Sequence, residues 1–294
     1  MRLPEMGAAN ADRRNIVLTG LARSGTTLAC HLLNKLPDTV ALTEPISPGK
    51  FVDLLPDYEA VAGGVEEFYA RMRRMALEDG EVISKHVGGE VPDNSFGRPD
   101  ATGERKSVLE KGRIPVGKPL PGDFYLVVKQ PGLFTALLPT LAPRLPCYAI
   151  IRNPLAVLAS RTSLGRSPGR HPTDRLSAVQ RYDEDLGRRM ASVPRGTLEW
   201  RLNMMSHSFE RFQNELPDDH VIRYENIVAT GGRALSAVVP TASALDEPLE
   251  SKNLNPLYDR GEMLDLGEKL LASEGAYWDF YSRESVEELL GQTA

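Results

Sequence analysis

One junction near the N-terminus constrains this chain more than any other feature. Asn15-Ile16-Val17-Leu18-Thr19 reads as a short buried strand, and a glycine-bearing turn from Gly20 to Gly25 follows at once. Residues 26–36 then carry apolar side chains at helical spacing until Pro37-Asp38 stops them. Strand, glycine loop and helix in that order open a nucleotide-binding α/β unit.

The remainder of the chain alternates in the same sense. A helical pattern spans residues 65–77, and the apolar run Val40-Ala41-Leu42 reads as a strand beside the first. Phe124-Tyr125-Leu126-Val127-Val128 and Pro146-Cys147-Tyr148-Ala149-Ile150-Ile151 suit buried parallel strands, and Val221-Ile222-Arg223-Tyr224 a last one. Helices are expected over 133–141, 154–164, 174–193 and 197–216. The expected fold is an α/β three-layer sandwich of P-loop type, one parallel sheet with helices on both faces, in a single domain over residues 1–294. Between about 84 and 122, glycines and prolines punctuate a polar stretch with little periodicity. Loops of that length are usually functional or disordered, and an acceptor-binding lid is one expectation for it.

Composition narrows the partners. A net charge of −5 over 294 residues provides no basic field for nucleic acid, so an anionic ligand must be held by a local site. Residues 1–14 are polar and mixed in charge, and no apolar run reaches membrane-spanning length; a cytoplasmic protein with no membrane partner is expected. Cys30 and Cys147 sit in apolar patterns as buried thiols, and no metal-ligand spacing occurs.

The glycine loop itself is Gly20-Leu21-Ala22-Arg23-Ser24-Gly25-Thr26-Thr27. Such a loop aims backbone N–H groups and a helix N-terminus at an anion. A triphosphate-binding loop needs lysine after its second glycine, and here that position is Thr26. Ser24, Gly25, Thr26 and Thr27 instead surround a compact anion, with Arg23 as a cation beside it. A strand-to-helix turn with Ser and Thr as caps is the alternative.

This segment resembles the 5′-phosphosulfate loop of sulfotransferases that use 3′-phosphoadenosine 5′-phosphosulfate (PAPS), with Ala22 in place of the usual proline and an arginine as in the tyrosylprotein and Golgi-type or bacterial branches. A second resemblance follows. Tyr148-Ala149-Ile150-Ile151-Arg152-Asn153-Pro154 with Ser160 is similar to the family's 3′-phosphate motif, which implies that Arg152 and Ser160 hold that phosphate. Arg152 is also explained as the start of a structural helix. Arg223-Tyr224-Glu225-Asn226 resembles a recurrent family segment, with Tyr224 as support near the cofactor or simply a capped strand end. Lys252 and Asn253 stand where the family has a late loop over the cofactor, without a motif match.

Lys129-Gln130-Pro131 resembles the tyrosylprotein branch's lysine segment, implying that Lys129 joins Arg23 in stabilising the transferring group; a surface lysine ending a strand is the alternative. The histidine that cytosolic members use as base falls on Pro131, so that mechanism does not carry over. Glu44 in Leu42-Thr43-Glu44-Pro45 matches the glutamate base of the tyrosylprotein branch, against a structural capping role. His86, which opens the polar stretch, is the rival base, whereas His31 and His207 fall in helical patterns. The resemblance implies sulfuryl transfer from PAPS to the hydroxyl of a small-molecule acceptor, without a metal. A peptide tyrosine as acceptor, a small-molecule kinase on a degenerate P-loop and a non-catalytic nucleotide-binding module stay open.

Overall fold

The computed structural model describes residues 13–100, 105–164 and 173–292. Its strands are β1 (Asn15–Gly20), β2 (Thr39–Thr43), β3 (Glu81–His86), β4 (Glu110–Pro115), β5 (Tyr125–Lys129), β6 (Cys147–Ile151) and β7 (Val221–Arg223). Five of them form one sheet in the order β2-β5-β1-β6-β7. Every neighbouring pair in it is parallel. All residues of β1 and β2 are buried, which is why both appear in the sequence as unbroken apolar or threonine-bearing runs rather than alternating ones. With helices flanking the sheet, this is the expected α/β architecture.

The register puts the functional ends of the strands level. Leu18 and Thr43 both lie opposite Lys129, and Gly20 lies opposite Ile150. The carboxyl ends of β2, β5, β1 and β6 therefore share one edge, where open α/β sheets place their ligands.

Helix α1 (Thr26–Leu33) buries Ala29, Cys30, Leu32 and Leu33. It stops before the expected residue 36, at Asn34, whose side chain is taken up by the backbone of β2. The Asn34 amide donates to the Ala41 carbonyl at 2.7 Å and accepts from the Ala41 N–H at 2.8 Å. Lys118 then donates to the freed carbonyls of Asn34 and Leu36, each at 2.6 Å. Helix α2 (Tyr58–Glu78) starts earlier than expected, since Asp57 caps it by accepting from the Ala60 N–H. Its Tyr69 is fully buried and donates to the Ile16 carbonyl at 2.7 Å, tying the helix to β1.

Three expectations need correction. The polar stretch at 84–122 is neither plain loop nor unstructured. It begins inside β3 and contains β4, and the two pair antiparallel from Glu81↔Pro115 to His86↔Glu110. Residues 101–104 of that stretch lie outside the described residues. The expected single helix at 174–193 is two, Thr173–Tyr182 and Glu184–Met190, because the Asp183 side chain leaves the first to cap the second, accepting from the Leu186 N–H. The last strand ends at Arg223, and Tyr224 opens a short helix, Tyr224–Ala229.

Candidate functional site

The glycine loop leaves β1 through Gly20 (φ 142°), where a Cβ would stand 2.3 Å from the Ile150 carbonyl oxygen. Only glycine lets the loop pass this close to β6. Ser24 fixes the loop from below. Its hydroxyl lies 2.6 Å from the Leu21 carbonyl and 2.7 Å from that of Ile150, and its N–H also bonds to Leu21. Its side chain is wholly buried. The expectation that Ser24 offers its hydroxyl to an anion is corrected: Ser24 pins the loop to the sheet.

Gly25 caps α1 in the left-handed conformation (φ 88°), and no side chain caps the helix. The first N–H groups of α1 have no intrahelical acceptor, so they remain available to an anion. They face a cavity of about 330 Å³ lined by Arg23, Gly25, Thr26, Thr27, Arg152 and Tyr224, among others. A larger hollow of about 540 Å³ lies at the opposite edge of the sheet, around Pro146, Cys147 and Tyr148, remote from the loop.

Arg23 stands with φ 81°, one of two non-glycine residues with positive φ among those described; the other is Glu44, with φ 46°. Strained backbone at both candidate residues is the kind of cost that the surrounding structure must enforce. The Arg23 guanidinium donates through Nε to Ser160 Oγ at 2.9 Å and lies 4.7 Å beneath the Phe96 ring. Arg152, which leaves β6, donates from Nε to Asn253 Oδ1 at 2.7 Å and from Nη1 to the Arg23 carbonyl at 3.0 Å. It also donates from Nη2 to the Lys252 carbonyl and stacks on Tyr224 at 4.6 Å. Three of its five N–H groups are thereby committed to the protein.

Electrostatics mark this place out. Arg105 reaches the same cavity from the segment between β3 and β4, bonded to the Gly97 and Phe96 carbonyls. Arg161 follows Ser160 on helix α3 (Pro154–Thr162). Burial pushes Arg23 down to about 10, and Arg105, Arg152 and Arg161 push it the same way, with Tyr258 opposing. Burial likewise lowers Arg161 to about 10, helped by Arg201. Arg23, Arg105, Arg152 and Arg161 make no ion pair with a carboxylate of the described residues, whereas the arginines of the outer surface, such as Arg144 and Arg189, do. Asp93 and Glu250 line the cavity, and Glu250 is paired with Lys252.

A second polar cluster sits two strands away. Glu44 follows β2, and its N–H bonds to the Lys129 carbonyl at 2.8 Å. Its carboxylate accepts from Lys129 Nζ at 2.8 Å on Oε1 and from Lys85 Nζ on Oε2. Burial alone raises the Glu44 carboxyl, but Lys129 and Lys85 overcome it by charge and hydrogen bonding and hold it at about 2. Two lysines, rather than burial, therefore set the direction of the shift. Lys129 is 2% exposed and the Glu44 side chain 27%, so the carboxylate is the accessible member. Neither residue lines the cavity around Arg23.

His86 does not join this cluster. Its Nδ1 accepts from the Gly89 N–H at 3.1 Å and faces Glu110 at 3.5 Å, within its own hairpin. Among described residues, no group of three or more His, Cys, Asp or Glu side chains could hold a metal ion.

The structure also brings to the site neighbours that sequence reasoning missed. Lys85, Ser95, Phe96 and Arg105 all come from β3 and the segment after it; Ser95 Oγ meets Thr27 Oγ1 at 3.0 Å. Glu225 knits the cavity's rear wall, accepting from the Asn153 N–H, the Asn253 amide and the Tyr281 hydroxyl at 2.9–3.0 Å. The neighbouring Tyr224 hydroxyl accepts from the Lys252 N–H at 2.9 Å. The late loop at Lys252-Asn253 thus lies against Arg152.

No known family model matches the chain, and no curated protein matches it. Among solved structures, it is similar to a sulfotransferase from Alicyclobacillus acidocaldarius (14% identity, 95% of each chain, TM-score 0.40). It is also similar to the sulfotransferase domain of the Synechococcus olefin synthase (13% identity, 95% of this chain and 93% of that one, TM-score 0.37). A third is a Mycobacterium tuberculosis sulfotransferase (14% identity, 95% of this chain and 77% of that one, TM-score 0.31). At these identities and TM-scores the chemistry rests on the site alone.

Proposed function

We propose that the chain is a cytoplasmic sulfotransferase that takes its sulfuryl group from PAPS and delivers it to the hydroxyl of a small-molecule acceptor. The observation that carries the reading is the gathering of three arginines, Arg23, Arg105 and Arg152, without carboxylate counter-ions around an uncapped helix N-terminus whose loop lacks the lysine of a triphosphate site. Charge of that kind is costly when empty and is balanced by a ligand with several anionic groups.

The residues present fit such a nucleotide. The N–H groups at the start of α1, with Thr26 and Thr27, suit the 5′-phosphosulfate. Ser160 and the remaining N–H groups of Arg152 suit the 3′-phosphate side, with Tyr224 and the Lys252-Asn253 loop keeping Arg152 in place. When bound, PAPS supplies an electrophilic sulfuryl group. Arg23 and Lys129 are then the cations that balance charge developing on its oxygens. Glu44 is ionised throughout the working pH range and is the group able to accept the acceptor's proton.

Thermal stabilisation tests this directly. The product nucleotide 3′,5′-ADP should raise the unfolding temperature and ATP with Mg²⁺ should not. Stabilisation by ATP with Mg²⁺ alone would instead indicate a kinase. Stabilisation by 3′,5′-ADP without sulfuryl transfer to any of a panel of phenols and alcohols would leave a binding module.

A further inference from the structure

The carboxylate of Glu44 is gripped from two separate elements. Lys129 approaches Oε1 from the end of β5, and Lys85 approaches Oε2 from β3. The two lysines take opposite oxygens, so together they fix the carboxylate plane, where one alone would leave it free to rotate.

Lys85 is itself accurately placed. Its neighbour Ser84 is fully buried, and Ser84 Oγ accepts from the Thr43 N–H at 2.9 Å, tying β3 to the residue immediately before Glu44. Strand alternation sends Val82, Ser84 and His86 inward and leaves Lys85 half-buried. Its side chain is 18% exposed against 2% for Lys129. The backbone ladder of β3 with β4 does not depend on which side chain stands at position 85.

We propose that Lys85 is a positioning residue for sulfuryl transfer, clamping Oε2 of Glu44 so that the carboxylate presents its remaining lone pairs to the acceptor hydroxyl in one orientation beside Lys129. The inference rests on the functional reading above and extends it to a residue supplied by the hairpin. It has a second consequence. Each lysine lowers the proton affinity of Glu44, so losing one makes the carboxylate a stronger base but a less well-aimed one. The titratable and charged groups facing Glu44 are Lys129 from β5, Lys85 from β3 and the Cys30 thiol from α1. Burial pushes that thiol up to about 11, so it stays neutral in the range that matters.

The test uses the full chain with Lys85→Met and Lys85→Arg, first checked for unchanged thermal unfolding, and Lys85→Gln should the Met variant fold poorly. The Glu44 carboxyl is titrated by carbon NMR, its resonance assigned with Glu44→Gln. Turnover is measured with PAPS and phenol as probe acceptor. In Lys85→Met the Glu44 titration should move up by about one pH unit or more. Its kcat should fall by about tenfold to a hundredfold. KM for PAPS should hold, and Lys85→Arg should recover most of the rate. An unmoved titration overturns the clamp, and so does a shifted titration with wild-type kcat. Should the wild-type chain bind no 3′,5′-ADP and transfer no sulfuryl group, the functional reading falls, while the titration still decides whether Lys85 holds Glu44.

Discussion

Arg152 Nη1 donates to the backbone carbonyl of Arg23 at 3.0 Å, so the arginine that follows β6 braces the strained arginine of the glycine loop. With Asn253 and Lys252 as its other acceptors, Arg152 organises the cavity before any ligand arrives.

It follows that Arg152→Lys is not a conservative change. A lysine cannot serve three acceptors arranged for a planar fork, and buried carbonyls are left unpaired. The variant should lose about 2–3 kcal/mol of stability without ligand in urea unfolding, in addition to weaker 3′,5′-ADP binding. Unchanged stability with binding lost would assign Arg152 to the ligand alone.

Gly25 and Tyr224 should be energetically coupled. A Cβ at position 25 would stand 2.6 Å from the Tyr224 ring, and the backbone there has φ 88°. Gly25→Ala should cost about 1–2 kcal/mol for the left-handed conformation alone, and more for the ring. Adding Tyr224→Ala should relieve the second cost but not the first, giving a coupling of about 0.5–3 kcal/mol in a double-mutant cycle. Strict additivity would mean that the ring moves away freely.

Glu44 sets an acid limit on stability. Its carboxyl titrates at about 2 when folded, against an ordinary value of 4.5. A depressed carboxyl stabilises the folded state above its unfolded value, and that stability is lost as pH falls through the folded one. The contribution, about 3 kcal/mol, should therefore be complete above roughly pH 5 and fade between about pH 4.5 and 2. Urea unfolding of the wild type and Glu44→Gln across this range should show their difference shrinking as acid is added. A constant difference would refute the lysine-held carboxylate.

Far from the cavity, Asp183 should be a strong determinant of folding. Its side chain is 1% exposed, accepts from His207 Nε2 at 2.7 Å and from Arg211 at 3.0 Å, and caps the helix Glu184–Met190. Burial would raise its carboxyl, but the hydrogen bonds from His207 and Arg211 hold it well below the usual range. Asp183→Ala removes the nearest acceptor of both partners, which keep only the longer pairs to Asp185 at 3.5 Å and Glu215 at 3.8 Å, and should cost about 3–5 kcal/mol. The folded fraction should keep wild-type affinity for 3′,5′-ADP. Weakened affinity in that fraction would connect this cluster to the site.

What the sequence disclosed follows the strength of its local signals. β1, the glycine loop and α1 were readable because strand burial, glycine spacing and helical period change within a dozen residues. β4 was not, since Glu110–Pro115 carries a single large apolar residue, Ile114, and its pairing with β3 is non-local. The break at Asp183 was hidden because residues on either side continue a helical period, and only the third dimension brings His207 and Arg211 to that carboxylate. In the site, motif residues at strand ends could be located, but the inward turn of Ser24 depends on the carbonyl of Ile150, in another strand. Lys85 and Arg105 carried no signal at all. Both are polar residues in a polar stretch, and their meaning comes from where the hairpin lies.

The three arginines that line the cavity, Arg23, Arg105 and Arg152, have a practical consequence for anyone who handles the protein. A pocket so short of counter-ions will recruit them from its surroundings, so sulfate, phosphate or pyrophosphate in a buffer becomes a competitor for the nucleotide. Nucleotide affinity measured in phosphate should come out weaker than in a chloride–organic amine buffer. A preparation precipitated with ammonium sulfate should have its vacant state concealed until that anion is dialysed away.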